Sequence, residues 1–205
     1  YDDQGTGIHF YTNREDTIAD QEMTVELSRI DLKQFKKVLP YLPDVEGWLG
    51  GSAHYMDSEG QMMLSADVSL DNFVYEKSPL GNWTMNGVYL PGDNNAHHVD
   101  GFITHNDREI IYMNGIYQTD ETGLENITGE LELQHFPLWV INPFVPDGIV
   151  NFRGDIDGTL AMEGNPLKPV LNGGLQLDSV LMVMPDMSIG FRFDNKQVKM
   201  QDSKM

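Results

Sequence analysis

The stretch Val150-Asn-Phe-Arg-Gly-Asp-Ile-Asp-Gly-Thr-Leu-Ala-Met162 decides the fold. One parity carries Val150, Phe152, Gly154, Ile156, Gly158, Leu160 and Met162; the other carries Asn151, Arg153, Asp155, Asp157, Thr159 and Ala161. A period of two held over 13 residues is the signature of extended chain, with one apolar and one wetted face. The same alternation runs through residues 64–70, 127–133, 171–177 and 189–193. Asn-Gly at 86–87, 114–115 and 172–173 and Asp-Gly at 100–101, 147–148 and 157–158 supply the positive-φ residues that hairpin turns use. Those inside alternating runs could equally mark bulges. The chain therefore reads as all-β with antiparallel neighbours.

Two stretches depart from this period. Asp31-Leu-Lys-Gln-Phe-Lys-Lys-Val-Leu39 places apolar residues at 32, 35, 38 and 39, a helical spacing that Asp31 can cap and Pro40 can stop. Residues 136–142 occupy a comparable place later in the chain. A helix of one to two turns is expected at each. Their positions expose a repeat. Val25-Glu-Leu27 matches Leu131-Glu-Leu133 at an offset of 106, and Pro40-Tyr-Leu-Pro43-Asp44 matches Pro143-Phe-Val-Pro146-Asp147 at 103. Residues 64–71 match 171–178 at 107, and Gly7-Ile8 matches Gly115-Ile116 at 108. One unit is thus about 105 residues, giving a first unit over 1–106 and a second over 107–205. Because residues 103–117 are strand-like where a linker would fall, the expectation is one continuous, elongated β structure extended by repetition.

Composition narrows the function classes. Thirteen Lys and Arg against 32 Asp and Glu leave 205 residues with a formal charge of −19. That argues against nucleic-acid binding, which needs a basic surplus, and disfavours a polybasic membrane patch. Hydrophobic residues at 40% are too many for a disordered acidic chain. No cysteine is present, which removes disulfides, thiolate metal sites and cysteine nucleophiles. The most apolar run, 136–145, is broken by Pro137 and Pro143 and falls well short of the ~20 residues that span a bilayer. With Tyr1 as first residue and no signal peptide, the chain is read as a processed protein or a piece of a longer one.

Catalytic chemistry finds little support. There is no Gly-x-Ser-x-Gly elbow, and Ser52, Ser65 and Ser69 read as solvent-facing strand positions. Asp155 and Asp157 share a strand face and could bind a cation, but the polar side of an amphipathic strand explains them as well. His97 and His98 are adjacent, and His98 and His105 are seven apart; both spacings put the rings on opposite strand faces and argue against a shared metal. No phosphate-binding glycine loop is present. Trp48, Trp83 and Trp139 read as core anchors before they read as sugar platforms. What remains is the apolar face, with 12 methionines, among them Met62, Met63, Met85, Met113, Met162, Met182, Met184 and Met187. Methionine suits a surface that adapts to variable apolar shapes, and also a conventional core.

Residues 156–177 read Ile-Asp-Gly-Thr-Leu-Ala-Met-Glu-Gly-Asn-Pro-Leu-Lys-Pro-Val-Leu-Asn-Gly-Gly-Leu-Gln-Leu. This resembles the recurring unit of the TamB family, within the wider AsmA-like group of Gram-negative envelopes. The match is best over 143–193; the earlier copy, 32–71, lacks the Lys-Pro-Val-Leu step and has Glu59-Gly60-Gln-Met-Met-Leu64 there. The resemblance implies an open, curved, taco-like sheet with a hydrophobic groove. It also implies a periplasmic location, with inner-membrane anchoring outside this segment, and an outer-membrane assembly protein as partner. The expected role is non-enzymatic and needs no cofactor or metal: guiding phospholipid acyl chains or hydrophobic client segments. By strand parity alone, Val150, Phe152, Ile156, Leu160, Met162, Leu131, Leu133, Leu171, Leu175, Leu177, Phe191 and Phe193 would line the groove. The rival expectation is a closed β-sandwich of the adhesin or carbohydrate-binding sort. A glycosidase would need a carboxylate pair that nothing in the sequence singles out.

Overall fold

A computed structural model describes residues 7–12, 21–58, 61–92, 95–120, 122–146 and 148–204. Glu59, Gly60, Asp93, Asn94 and Asp147, which enter the sequence patterns, lie outside them. Among the described residues the alternating runs become twelve antiparallel strands, the first eleven in chain order and the twelfth paired with the tenth, in a sheet that stays open and does not close into a barrel. The chain divides into two units, Tyr1–Glu109 and Ile110–Met205.

The first unit holds β1 (Gly7–Tyr11), β2 (Gln21–Asp31), β3 (Val45–Ser58), β4 (Gln61–Tyr75), β5 (Ser78–Pro91) and β6 (Ala96–His105), each paired with the next. Between β2 and β3 a 3-10 turn, Leu32–Gln34, runs into the one-turn helix α1, Phe35–Val38. The Asp31 carboxylate accepts the Lys33 N–H at 3.0 Å, the expected cap. The second unit holds β7 (Arg108–Thr119), β8 (Glu125–Pro137), a 3-10 helix at Leu138–Phe144, β9 (Asn151–Gly164) and β10 (Val170–Met184). The far side of β10 takes two short strands, β11 (Ile189–Arg192) and β12 (Gln197–Met200), separated by a break. A further 3-10 turn, Pro185–Met187, precedes β11. Only Asn106 and Asp107 separate β6 from β7, so no linker occupies the place where the repeat would put one.

The repeat reaches down to single backbone conformations. Arg29 and His135 both take positive φ (46° and 48°), as do Asn72 and Ser179 (52° each). Each sits in a bulge where register shifts: between Leu27 and Ile30 and between Leu133 and Phe136, then between Leu70 and Phe73 and between Asp178 and Leu181. A bulge frees an N–H from the ladder, and in two of the four an asparagine side chain supplies the acceptor. The Asn72 N–H donates to Asn82 Oδ1 (2.8 Å), and the Ser179 N–H donates to Asn195 Oδ1 (3.0 Å). Gly51 and Gly158 are a third equivalent pair, at φ +147° and +143°. In that conformation a Cβ would collide with the carbonyl oxygen of the facing strand (Asp67 or Gly174) and lie 2.9 Å from the next Cα.

The Asn-Gly and Asp-Gly pairs are not the hairpin turns their composition suggests. Asn86-Gly87, Asp100-Gly101, Asn114-Gly115, Asp157-Gly158 and Asn172-Gly173 all fall inside strands. The tight turns are made by Glu76-Lys77 and Asn106-Asp107, whose φ values are all positive, as a type I′ turn requires.

Full burial of apolar side chains is confined to the helical end of each unit; Thr24 in β2 and His105 at the end of β6 are the buried polar residues among those described. Leu32 and Leu80 are buried in the first; Ile110, Leu138, Val140 and Val180 are buried in the second. Every one lies in a 3-10 segment, in a bulge or at the start of a strand. The 3-10 helix of the second unit is pinned to β9 by Asn142, whose Nδ2 donates to the Phe152 carbonyl (2.9 Å) and whose Oδ1 accepts the Phe152 N–H (2.7 Å).

Two outcomes test this account. Gly51→Ala and Gly158→Ala should each cost at least about 2 kcal/mol in denaturant unfolding, from positive-φ strain plus the clash. Gly87→Ala, where the nearest atom would be 3.7 Å away, should be far milder. Asn142→Ala should cost about 1–3 kcal/mol by leaving both Phe152 backbone groups without their partner, read as a lowered urea midpoint with unchanged slope.

Candidate functional site

Residues directly opposite one another in a sheet point to the same side, so the register fixes which side chains share a face. In the second unit, Met113, Leu131 and Leu160 form one row that continues to Gly173 and Met200. The next row is Ile111, Leu133, Gly158, Leu175 and Val198; Met162 and Leu171 stand together in a third, and Phe136, Ile156 and Leu177 in a fourth. All the larger apolar members of these rows are half-buried: none is sealed off and none is fully exposed. The opposite face carries Asn114, Glu130, Ala161 and Asn172 in one row and Tyr112, Glu132 and Thr159 in the next.

Eight of the twelve residues chosen by parity therefore lie on one continuous apolar face: Leu131, Leu133, Ile156, Leu160, Met162, Leu171, Leu175 and Leu177. Phe152 and Phe191 stand opposite Met182 in a separate row beyond the β10 bulge. Val150 precedes β9 and Phe193 follows β11, so neither belongs to a strand row. The first unit repeats the arrangement. Leu27, Gly51, Val68, Met85 and Ile103 make one apolar row and Leu49, Leu70 and Trp83 another, while Glu26, Ser52, Asp67 and Asn86 occupy the other side. Every substantial contact within either unit joins sequence-neighbouring strands, joins β10 to β12, or ties a short helix to its strand. Among the described residues there is no second sheet to pack on these apolar faces, and Leu64, Met85 and Val99 are left exposed. The fold is thus a single sheet per unit, not the closed sandwich of the rival expectation.

The polar candidates are dispersed. Asp157 accepts the His135 N–H (2.8 Å) and meets the His135 ring (2.5 Å), which engages it locally and away from any joint role with Asp155. His105 is buried against Trp83, centroids 4.6 Å apart, with Nε2 on the Leu80 carbonyl at 2.9 Å. His97 stacks on Tyr89 and bonds its hydroxyl at 2.6 Å. Among the described residues no group of three or more His, Asp and Glu could hold a metal ion. The tryptophans differ: Trp48 and Trp83 are half-buried, Trp48 with the Arg29 guanidinium over its ring at 5.1 Å and Trp83 donating to the Leu80 carbonyl, whereas Trp139 is exposed and is no core anchor.

Sequence reasoning passed over His54. Its ring nitrogens lie 3.0 Å from Thr24 Oγ1 and 3.0 Å from Ser52 Oγ. The i, i+2 spacing of Ser52 and His54 on a strand was the available signal. A serine–histidine pair is the start of a nucleophile–base arrangement, but here a threonine hydroxyl holds the place where a carboxylate orients a catalytic imidazole. Asp120 is held below the usual carboxylate range, first by the Thr122 hydroxyl and next by the Leu124 N–H. It organises the β7–β8 turn.

A dye that fluoresces on exposed apolar surface should bind the folded protein at neutral pH. Leu175→Asp should reduce that signal while far-UV circular dichroism is kept; no signal from the unmutated chain would mean that the face is covered. No family model matches this chain, and searches of curated proteins and of solved structures find no match either.

Proposed function

We propose that this chain is a non-enzymatic segment of a Gram-negative cell envelope that holds phospholipid acyl chains against its apolar sheet faces. The observation that carries this reading is the half-exposed apolar grid formed by Leu131, Leu133, Leu160, Met162, Leu171 and Leu175 on a sheet with no second sheet against it among the described residues. Apolar surface of this extent on one side of a single sheet marks a ligand or partner surface. An acyl chain makes no directional demand. It needs a dry strip, and each methylene removed from water contributes about 0.8 kcal/mol. Side chains on one strand face recur every ~6.6–6.8 Å, and in Met113–Leu131–Leu160 they also stand side by side across three strands. Half-buried methionines such as Met113 and Met162 can reshape themselves around chains of different length and saturation.

The periplasmic setting and the outer-membrane assembly partner rest on the resemblance of residues 143–193 to the TamB family. A hydrophobic client segment would use the same face, with side chains in place of methylenes.

The test is site-specific photo-crosslinking in membrane-containing extracts. A photoreactive residue at Leu160 should capture phospholipid, and one at Ala161, on the opposite face, should not. Ile156→Asp or Leu175→Asp should abolish capture at that level. Equal capture at 160 and 161, or unchanged capture in a folded aspartate variant, would sink the assignment.

A further inference from the structure

The loop and helix between β2 and β3 do not behave like the rest of this acidic surface. From residue 32 to residue 43 the sequence is Leu-Lys-Gln-Phe-Lys-Lys-Val-Leu-Pro-Tyr-Leu-Pro, with three lysines and no carboxylate. Leu32 is buried and anchors the segment, but residues 33–42 are all exposed. Besides Phe35 at 37%, four of them are apolar side chains in water: Val38 at 78%, Leu39 at 51%, Tyr41 at 99% and Leu42 at 38% relative exposure. Ordinary loops keep such residues few and scattered. Beside them, Lys33, Lys36 and Lys77 line one cleft together with Asp44, Val45 and Glu46.

We propose that this corner is a docking surface for an anionic phospholipid bilayer. The lysine ammoniums meet lipid phosphates, while Val38, Leu39, Tyr41 and Leu42 enter the boundary between headgroups and acyl chains, as the apolar side of an interfacial segment does. The partner follows from the combination of charges. A protein partner for an apolar patch would not need three lysines in twelve residues, and a soluble anion would not need four exposed apolar side chains. The net charge of −19 does not forbid this contact, because fields from exposed charges fade within about 8 Å at physiological salt. The Lys33–Glu46 and Lys36–Asp44 pairs are both solvent-exposed. Such pairs contribute little, so the lysines can exchange a carboxylate for a lipid phosphate at small cost. Tyr41 is suited to this depth, with an apolar ring and a polar tip.

The inference stands apart from acyl-chain capture, and the two fail separately. The experiment is flotation of the full chain with vesicles of phosphatidylcholine alone and with vesicles that also contain phosphatidylglycerol. The expected result is association with the anionic vesicles only, weakening as salt is raised. Lys33→Gln, Lys36→Gln and Lys37→Gln together should lower partitioning about a hundredfold, since each surface-proximal cation contributes roughly fivefold. Val38→Ser with Tyr41→Ser should lower it further, even at low salt. These side chains are exposed, and circular dichroism checks that the variants keep the fold. Leu175→Asp, which removes acyl capture, should leave flotation unchanged. Equal binding to neutral vesicles, indifference to the lysine replacements, loss of binding to free glycerophosphate, or no flotation of the unmutated chain would each overturn the proposal.

Discussion

A single layer of β-sheet has nothing of its own to lay against its apolar side, and the remaining features of this protein follow from that constraint. In a sandwich, the second sheet would bury Leu131, Leu160 and Leu175. Here those side chains are half-buried against their row neighbours. Stability must come from elsewhere. The backbone ladders satisfy the polar main chain, and full burial is concentrated where the short helical segments fold back onto the strands, at Leu32 and Leu80 and at Leu138, Val140 and Val180. In the second unit the 3-10 helix is thus a local substitute for a second layer; in the first unit Leu32 alone plays that part, and α1 stays exposed. The reciprocal Asn142–Phe152 bonds keep the 3-10 helix of the second unit seated.

The two faces divide labour by chemistry. On the polar side, Glu26, Asp67, Glu130 and Glu132 carry charge that keeps a one-layer protein dispersed in water. On the apolar side, glycines alternate with larger residues within rows, as in Leu133–Gly158–Leu175 and Leu27–Gly51–Val68. A row interrupted by glycine is lower at its middle than at its ends. Nothing in such a surface demands a nucleophile or a metal. The pairs that chemistry might have used, His54 with Ser52 and His135 with Asp157, sit on the sheet as separate local contacts.

Parity is a local property, and it was legible wherever strands run undisturbed: Leu131, Leu133, Leu160, Met162, Leu171 and Leu175 fall on one face as their spacing predicts. The helix after Asp31 was equally legible, because cap, period and proline stop lie within ten residues. The register was not. It depends on extra residues at Arg29, Asn72, His135 and Ser179, and a bulge leaves no mark in an apolar count. For the same reason Phe152 and Phe191 separate from the main grid. The turns misled in the other direction. Asn-Gly and Asp-Gly have identical composition whether they reverse the chain or let two backbones approach inside a sheet, as at Gly158. Glu76-Lys77 is a poor turn by composition. It is held by a distant segment: its N–H donates to the Asp44 carbonyl (2.8 Å), and its carboxylate accepts the Asp44 N–H (3.0 Å). A bond across 32 residues cannot be read from a dipeptide.

Chain-order pairing also shapes how the molecule comes into being. In the first unit β2 pairs with β1, β3 with β2, and so on to β6. No strand waits for a partner made much later, so the loops to be closed are short and their entropic cost is low. Each new strand finds a finished template at the growing edge. A chain emerging end-first, from a ribosome or through a translocation pore, could zip up as it appears, with little time spent as a sticky unfolded polymer.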